Sequence, residues 1–346
     1  FNSYPCLKFP NQAEFHPLKF LNGLCKAILK NGGEIFTNSH AEGIEDSNKE
    51  DNKKALVTLS NKSVITAENI IVATNSPISD YLAIHTKQSP YMTYVIGFVI
   101  PENYVKEGLY WDDAEPYHYI RTQFDGKDKI LIVGGEDHKT GQEDNQDERF
   151  NCLEEWARKN FSRLGKIKYR WSGQVMEPVD GLSFIGKDPE NENSVYIVTG
   201  DSGMGMTHSA YAGILLKDLI CGYENPWAKL YEPKRKTLKA ADEFMKEGVN
   251  VVAQFADYVT PGDESSEDKI EKGDGALIRH GLKKIAVFRD EKGMLHKFSA
   301  VCPHLKCIVQ WNSAEKTWDC PCHGSRFDCK GTVINGPALS DLEKIK

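Results

Sequence analysis

Between Cys302 and Phe327 the chain reads CPHLKCIVQWNSAEKTWDCPCHGSRF. Cys302-x-His304 is followed, after fifteen residues, by Cys320-x-x-His323. This stretch constrains the fold more than any other, because two loops must converge to bring two thiolates and two imidazoles to one point. Tetrahedral zinc also accepts two Cys and two His. The order of ligands argues against zinc: its fingers pair Cys with Cys and His with His in separate knuckles, whereas each loop here gives one of each. The Pro and Gly beside each pair suit exposed loops rather than a helix carrying His at i and i+4. The chemistry that fits is a binuclear iron–sulfur cluster. Two Cys hold one iron and two His the other, which raises the reduction potential above that of an all-Cys cluster.

The strings C-x-H-x-x-C and C-P-C-H-G-S resemble the two cluster loops of Rieske proteins that carry an extra loop-to-loop disulfide. The resemblance implies Cys302, His304, Cys320 and His323 as ligands of a Rieske 2Fe–2S cluster, and a disulfide between Cys307 and Cys322. Gly336-Pro337-Ala338 resembles the Pro-containing segment that covers the cluster in this family. In its high-potential respiratory members, a Ser and a Tyr hydroxyl donate hydrogen bonds to the cluster sulfurs. Ser325 matches the Ser, and Phe327 stands where the Tyr would be. Hydrogen bonds to sulfur raise the potential, so losing one donor implies a lower midpoint here.

Length and composition set the rest of the frame. With 346 residues, 40% of them hydrophobic, the chain has room for two or three domains. A net charge of −7 gives no electrostatic case for nucleic acid or an anionic membrane as partner. No apolar run approaches the roughly 18 residues of a membrane helix. Of nine cysteines, five lie between Cys302 and Cys329. Cys6, Cys25, Cys152 and Cys221 read as scattered buried thiols, which suits a reducing compartment, and the expected location is cytoplasmic. The first residue is Phe and no signal peptide is visible, so a fragment is expected. The end, Asp341-Leu-Glu-Lys-Ile-Lys, also stops where a small β domain would add a closing strand.

Taken in order, Pro17 opens a helix with Leu18, Leu21, Leu24, Ile28 and Leu29 at helical spacing, stopped by Gly32-Gly33. Glu34–Thr37 reads as a strand and Glu45–Lys54 as a charged loop. Two short strands follow, over Ala55–Leu59 and Ser63–Thr66. Asn69–Asn75 reads as a buried parallel strand with ligand-facing residues at its C-terminal tip. Residues 76–175 change to β-rich alternation, interrupted by one amphipathic helix carrying Phe150, Leu153, Trp156, Ala157 and Phe161. The α/β pattern returns with the strand Val195–Thr199, a Gly-rich turn, and a helix from about Ser209 to Leu219. Such a turn before a helix N-terminus can cradle an anion or cofactor, or be no more than a tight loop. Two amphipathic segments, Leu238–Met245 and Val252–Val259, form a connector. Pro261-Gly262 and the acidic run Asp263–Asp268 mark a linker, and three strands lead into the cluster loops.

Five pieces in order resemble the later two-thirds of FAD-dependent oxidoreductases of the D-amino-acid oxidase and glycine oxidase type. They are His16-Pro17 with its helix, Ile70–Asn75, Gly134-Gly-Glu136, Trp171-Ser-Gly173 through Ile185-Gly186, and Gly200 through Thr207. The fold class is then α/β, a partial FAD-binding domain with an inserted antiparallel β-sheet substrate domain, plus a small all-β Rieske domain. The implied boundaries are 1–75 and 176–222 for the FAD-binding part, 76–175 for the inserted sheet, 223–262 for the connector and 263–346 for the Rieske domain. The resemblance implies that Ala73, Thr74 and Asn75 lie near FAD, and that Gly203, Met204, Gly205, Met206 and Thr207 wrap the flavin ring and ribityl chain. The family's G-x-G-x-x-G turn, which seats the pyrophosphate, is not in this sequence. It lies upstream of the matched part, so this chain alone is expected to bind FAD poorly and the complete protein to bind it well.

Arg121 and Tyr119 alternate on one strand and are candidate substrate contacts, because a guanidinium suits a carboxylate. An ordinary surface Arg on a strand is the competing reading. His208, Trp171, Met176 and His16 read as structural. The implied function is flavin-dependent oxidation of an amine or amino-acid-like substrate, with the cluster relaying single electrons to a redox protein or quinone-like acceptor. Two alternatives stay open. Electrons could enter through the cluster to reduce the flavin, in a reductive or monooxygenase-like enzyme. The chain could also be a non-enzymatic electron carrier or redox sensor.

Overall fold

The computed structural model describes residues 6–48, 53–79, 84–143, 145–236, 254–281 and 283–345. The elements, in chain order, are α1 (Pro17–Lys30), β1 (Ala41–Glu45), β2 (Ala55–Leu59), β3 (Val64–Ala67), β4 (Ile70–Val72), β5 (Gln88–Ile100), β6 (Tyr110–Trp111), β7 (His118–Asp125), β8 (Asp128–Lys139), α2 (Gln146–Asn160), β9 (Ile167–Pro178), β10 (Phe184–Lys187), β11 (Val195–Thr199), α3 (Gly205–Ile220), α4 (Ala228–Tyr231), β12 (Asp274–His280), β13 (Lys283–Arg289), β14 (Leu295–Ser299), β15 (Gln310–Asn312), β16 (Thr317–Asp319), β17 (Arg326–Asp328) and β18 (Val333–Asn335). They fall into two compact units.

The first unit comprises residues 1–39, 93–137 and 147–173. Its sheet has the order β6-β7-β8-β5-β9. The β7–β8 hairpin pairs His118 with Gly135 through Asp125 with Asp128, closing on Gly126 at φ 61°, a conformation glycine adopts without strain. Helix α2 buries Phe150, Leu153 and Ala157, as its 3.6-residue spacing predicts, while Trp156 is only partly buried and Phe161 is buried just past the helix end; Phe150 meets Tyr94 edge-on at 4.9 Å. Helix α1 forms where its proline and apolar periodicity place it, yet none of its residues is buried.

The second unit comprises residues 40–92, 138–146 and 174–346. It holds an antiparallel β1-β2-β3 sheet and a sheet of order β10-β11-β4, in which β11 and β4 run parallel. The apolar face of α3 (Ala212, Leu215, Leu216) packs on Ile185 and Tyr196. Toward the C-terminus come the sheets β12-β13-β14 and β15-β16-β17-β18. Around the latter, Trp318, Phe327, Phe298 and Ile308 bury a core that also contains Cys302, Cys307, Cys320 and Cys322.

Several sequence expectations change. Glu34–Thr37 is not a strand, and β1 lies a few residues further on. The run 69–75 is less buried than its composition suggests: β4 is the edge of its sheet, and Ile71 is 49% exposed. Trp171 is half exposed, whereas Met176 is core. Among the described residues Cys6, Cys25 and Cys221 are exposed and Cys152 is only partly buried, so they are not the buried thiols the sequence suggests. Most of the expected connector helices, Leu238–Met245 and Val252, lies outside the described residues; a short 3-10 turn spans Phe255–Tyr258.

Candidate functional site

The first cluster loop joins β14 to β15, and the second closes the β16–β17 hairpin. Backbone bonds shape each loop locally. In the first, Cys302 N–H donates to the Cys307 carbonyl at 2.8 Å and Lys306 N–H to the Cys302 carbonyl at 3.1 Å. In the second, Cys320 N–H donates to the Ser325 carbonyl at 2.8 Å and Gly324 N–H to the Cys320 carbonyl at 3.1 Å. The two loops bring Cys302, His304, Cys320 and His323 together, all buried. The Cys302 and Cys320 sulfurs hydrogen-bond each other, and the His304 and His323 rings stand 5.2 Å apart.

The electrostatics suit a site that takes up a cation. The hydrogen bond from Cys320 holds the Cys302 thiol below its ordinary range, while the same bond and burial push Cys320 well above it. The two thiols are thus coupled to each other, and a metal, which binds thiolates, would displace their protons. Burial, with His304 nearby, lowers His323 to about 4, so its imidazole is neutral and able to ligate near neutral pH. Among the described residues the His323 Nδ1 is buried with no hydrogen-bond partner. That orphaned atom, two paired thiols and two adjacent imidazoles fit a cluster with one Cys-held and one His-held iron.

Cys307 and Cys322 form a disulfide across the two loops. The Cys320 sulfur lies within 4.8 Å of both bridged sulfurs, but a disulfide sulfur is not a thiolate ligand, so this pair braces the loops. The Ser325 hydroxyl hydrogen-bonds the Cys302 sulfur and accepts the Ala338 N–H at 3.0 Å, tying the Gly336–Ala338 segment to the cluster. Phe327 is fully buried in the same core. Just before Cys320, the buried Asp319 carboxylate receives Thr317 Oγ1 at 2.8 Å, Asn312 Nδ2 at 2.9 Å and Arg326 Nε at 3.0 Å.

The second candidate region lies at the parallel pair β4 and β11. Parallel strands present their C-terminal ends at one edge, where open α/β sheets bind ligands. Ala73, Thr74 and Asn75 follow β4, and Gly200–Met204 follow β11, so the register brings both segments to that edge. The Thr199 hydroxyl ties them at 2.5 Å from the Asn75 carbonyl. Asn75, Ser202 and Gly203 all have positive φ, with Gly203 at 73°. Helix α3 begins at Gly205, about four residues earlier than the sequence suggests, so Gly205, Met206 and Thr207 belong to its first turn. Among the described residues no side chain caps that end, the kind of helix start that can receive an acceptor on a ligand, although the Thr207 N–H already donates to the Met204 carbonyl at 3.0 Å. Within the helix His208 Nδ1 meets Ser183 Oγ at 2.6 Å, which in turn lies 3.1 Å from Tyr211. Desolvation raises Asp201 and lowers His208.

In the first unit, Tyr119 and Arg121 share one face of β7, while His118, Ile120 and Thr122 are buried on the other. The Tyr119 ring covers Gly134, where any side chain would collide with it. Arg121 Nη2 donates to the Phe15 carbonyl at 3.1 Å and lies 3.6 Å from the Glu14 carboxylate, in a cleft of about 270 Å³. Its Nε is buried without a partner among the described residues.

Two residues that the sequence reading passed over adjoin the cluster loops. His85 rests against both His304 and His323, and Gln174 bonds the second loop. Neither sits in a motif, and only the fold brings them there.

Residues 4–219 match the family described as FAD dependent oxidoreductase, and residues 263–346 match the Rieske [2Fe-2S] domain. YhfW of Bacillus subtilis (strain 168), which carries the name of a Rieske 2Fe-2S iron–sulfur protein, is 33% identical over 345 residues; the match covers 98% of this chain and 66% of that protein. The cytochrome b6-f complex iron–sulfur subunit of Synechococcus elongatus is 37% identical over 95 residues, covering 28% of this chain and 48% of the subunit. Among solved structures, L-proline dehydrogenase from P. horikoshii superposes with a TM-score of 0.51 at 17% identity, covering 63% of this chain and 59% of that one.

Proposed function

Because the chain belongs to the FAD-dependent oxidoreductase family and carries a Rieske [2Fe–2S] domain, we propose that it oxidises an amine or amino-acid-like substrate and passes the electrons on singly. When bound, FAD supplies two-electron acceptance from a C–N bond, and the cluster supplies one-electron exchange. The observation that carries this reading is that both candidate sites, the β4 and β11 strand tips and the cluster loops, lie in one compact unit. A two-electron site and a one-electron site within one unit suit a relay.

The residues divide the work. Cys302 and Cys320 hold one iron, and His304 and His323 the other. The Cys307–Cys322 bridge keeps the loops at that spacing. The backbone at Ala73–Asn75 and the Gly203–Thr207 turn hold the flavin, with the first-turn N–H groups of α3 offered to its acceptor atoms. Arg121 receives the substrate, its guanidinium pairing with the substrate carboxylate, and Tyr119 stands beside it on the same face of β7. Glu14 shares that guanidinium, so a carboxylate substrate enters in competition with it. The electron acceptor is a one-electron redox protein or a quinone-like molecule. Among the described residues no helix is long and apolar enough to cross a membrane.

Stopped-flow mixing of the full-length protein with a panel of amines and amino acids tests the reading. Bleaching of the flavin followed by reduction of the cluster is expected. A flavin that reduces while the cluster stays oxidised refutes the relay. A cluster reduced by ferredoxin without substrate, followed by the flavin, reverses its direction.

A further inference from the structure

The histidine edge of the cluster loops is not open. His304 is 6% exposed and His323 4%. Both are covered from outside the Rieske sequence match by His85, itself 3% exposed. The His85 ring lies 5.1 Å from His304 at 74° and 5.9 Å from His323 at 64°, edge contacts to both. It is anchored on its own side: Nε2 lies 3.1 Å from the Pro77 carbonyl and Nδ1 3.5 Å from the Ser76 hydroxyl. A neutral ring satisfies both, with Nε2–H donating to Pro77 and Nδ1 accepting from Ser76.

The contact is part of a fitted surface. Gln174 Nε2 donates to the Gly324 carbonyl at 2.9 Å, directly after His323, and its Oε1 accepts from Asn335 Nδ2. A Cβ on Gly324 would stand 2.5 Å from Pro90 Cβ and 2.7 Å from Gln174 Nε2, so the loop backbone lies flush against these residues. Opposite the other end of the loop, a Cβ on Gly141 would come within 2.9 Å of the Asp319 carbonyl and the Pro321 nitrogen. Gly336, in the covering segment, comes as close to Ile78. Close backbone approach at three glycines, with polar groups paired across it, is the packing of a permanent interface.

We propose that the α/β part of this chain is the resident docking partner of the cluster's histidine edge, with His85 as a positioning residue that packs the two ligand imidazoles and shuts them off from external redox partners. The proposal rests on the assignment of His304 and His323 as ligands. It deepens the proposed relay by naming the face that the relay uses. An outside redox protein then meets the Rieske domain away from its histidines.

The test uses the full-length, flavin- and cluster-loaded protein. The cluster is reduced with dithionite and its oxidation by ferricyanide is followed, alongside its EPR g-values and midpoint potential. His85→Ala is expected to speed oxidation several-fold and shift the g-values, and His85→Phe, which restores a ring, to return the rate toward that of the parent. A doubly substituted protein, Gln174→Cys with Asn335→Cys, is expected to be bridged by a short bifunctional thiol cross-linker, which spans the length of the two lost side chains, and to keep the parental EPR spectrum. Unchanged rate and g-values in His85→Ala overturn the positioning role. Failure to cross-link, or a changed spectrum once cross-linked, overturns the docked interface. Neither readout involves an amine or flavin turnover, so this inference and the substrate reading can fail separately.

Discussion

The cluster loops and the β4–β11 strand tips belong to one unit but are built in opposite ways. Each Cys and His pair of the cluster loops comes from a few consecutive residues, in a loop closed by its own backbone bonds and buried in a core of aromatic and apolar side chains. The strand tips join segments more than a hundred residues apart, held by parallel register and one threonine hydroxyl, and Ala73, Thr74 and Met204 remain exposed. A self-contained loop pair carries its chemistry in its sequence and tolerates little change. A composite edge depends on what else meets it. The two regions should therefore respond differently to substitution, the cluster end through stability and cofactor retention together, the strand tips through ligand affinity alone.

The sharpest contrast comes from Asp319→Ala. Asp319 and Arg326 are both almost wholly buried, and the carboxylate is the acceptor for three side chains. Removing one member of a buried pair strands the other, at a cost of about 3–5 kcal/mol. Chemical denaturation followed by cluster absorbance should show this loss, with flavin content unchanged. If cluster and flavin were lost together at one midpoint, the two regions would not be separable. Next in size is the double change Cys307→Ala with Cys322→Ala. The bridge closes a loop with a sequence separation of 15, and releasing it should lower stability by about 3 kcal/mol on the loop-entropy account. Urea midpoints of parent and variant measure it, and non-reducing mass spectrometry shows whether the parent carries the bond.

On the other side of the comparison, Gly203→Val tests the strand-tip edge. Gly203 has φ 73°, and a β-branched residue there costs about 1–2 kcal/mol. A side chain has room, with Val175 Cγ1 the nearest atom at 3.8 Å from a Cβ, so the effect is conformational and not a clash. The full-length variant should hold flavin about tenfold more weakly, with the cluster spectrum intact. Equal flavin affinity would remove the turn from the flavin site.

How much of this could be read in the sequence follows the same division. That Cys302, His304, Cys320 and His323 meet in one place was legible because residue type and spacing coincide over a short stretch, and the Cys307–Cys322 bridge followed from the resemblance of the two loops to Rieske proteins. The strands β4 and β11 were legible as apolar runs, but their parallel pairing was not, because nothing local names a strand's partner. The start of α3 was misplaced because Gly-Met-Gly-Met-Thr reads as a turn, while the structure carries the helix back to Gly205 without a side-chain cap. The exposed cysteines were misread because an apolar neighbourhood in sequence does not say which face another element covers. His85 and Gln174 were invisible: a lone His in a loop and a Gln on a strand come to stand beside the cluster loops only through the fold. Tertiary contact of that kind leaves no local pattern.

The smallest expected effect bears on the cluster's potential. Ser325 reaches the Cys302 sulfur, but Phe327 offers no second hydroxyl, its phenyl ring being fully buried in the same core. Phe327→Tyr adds one oxygen to that ring. If it donates to the cluster sulfur side, it withdraws electron density and stabilises the reduced state, and the midpoint rises. The added hydroxyl also brings a desolvation cost of about 1–3 kcal/mol unless it is bonded, so the two outcomes separate cleanly. A raised potential with unchanged stability means the donor is made. An unchanged or lowered potential with reduced stability means that Phe327 does not face the cluster, and the low-potential argument falls while the ligand assignment stands.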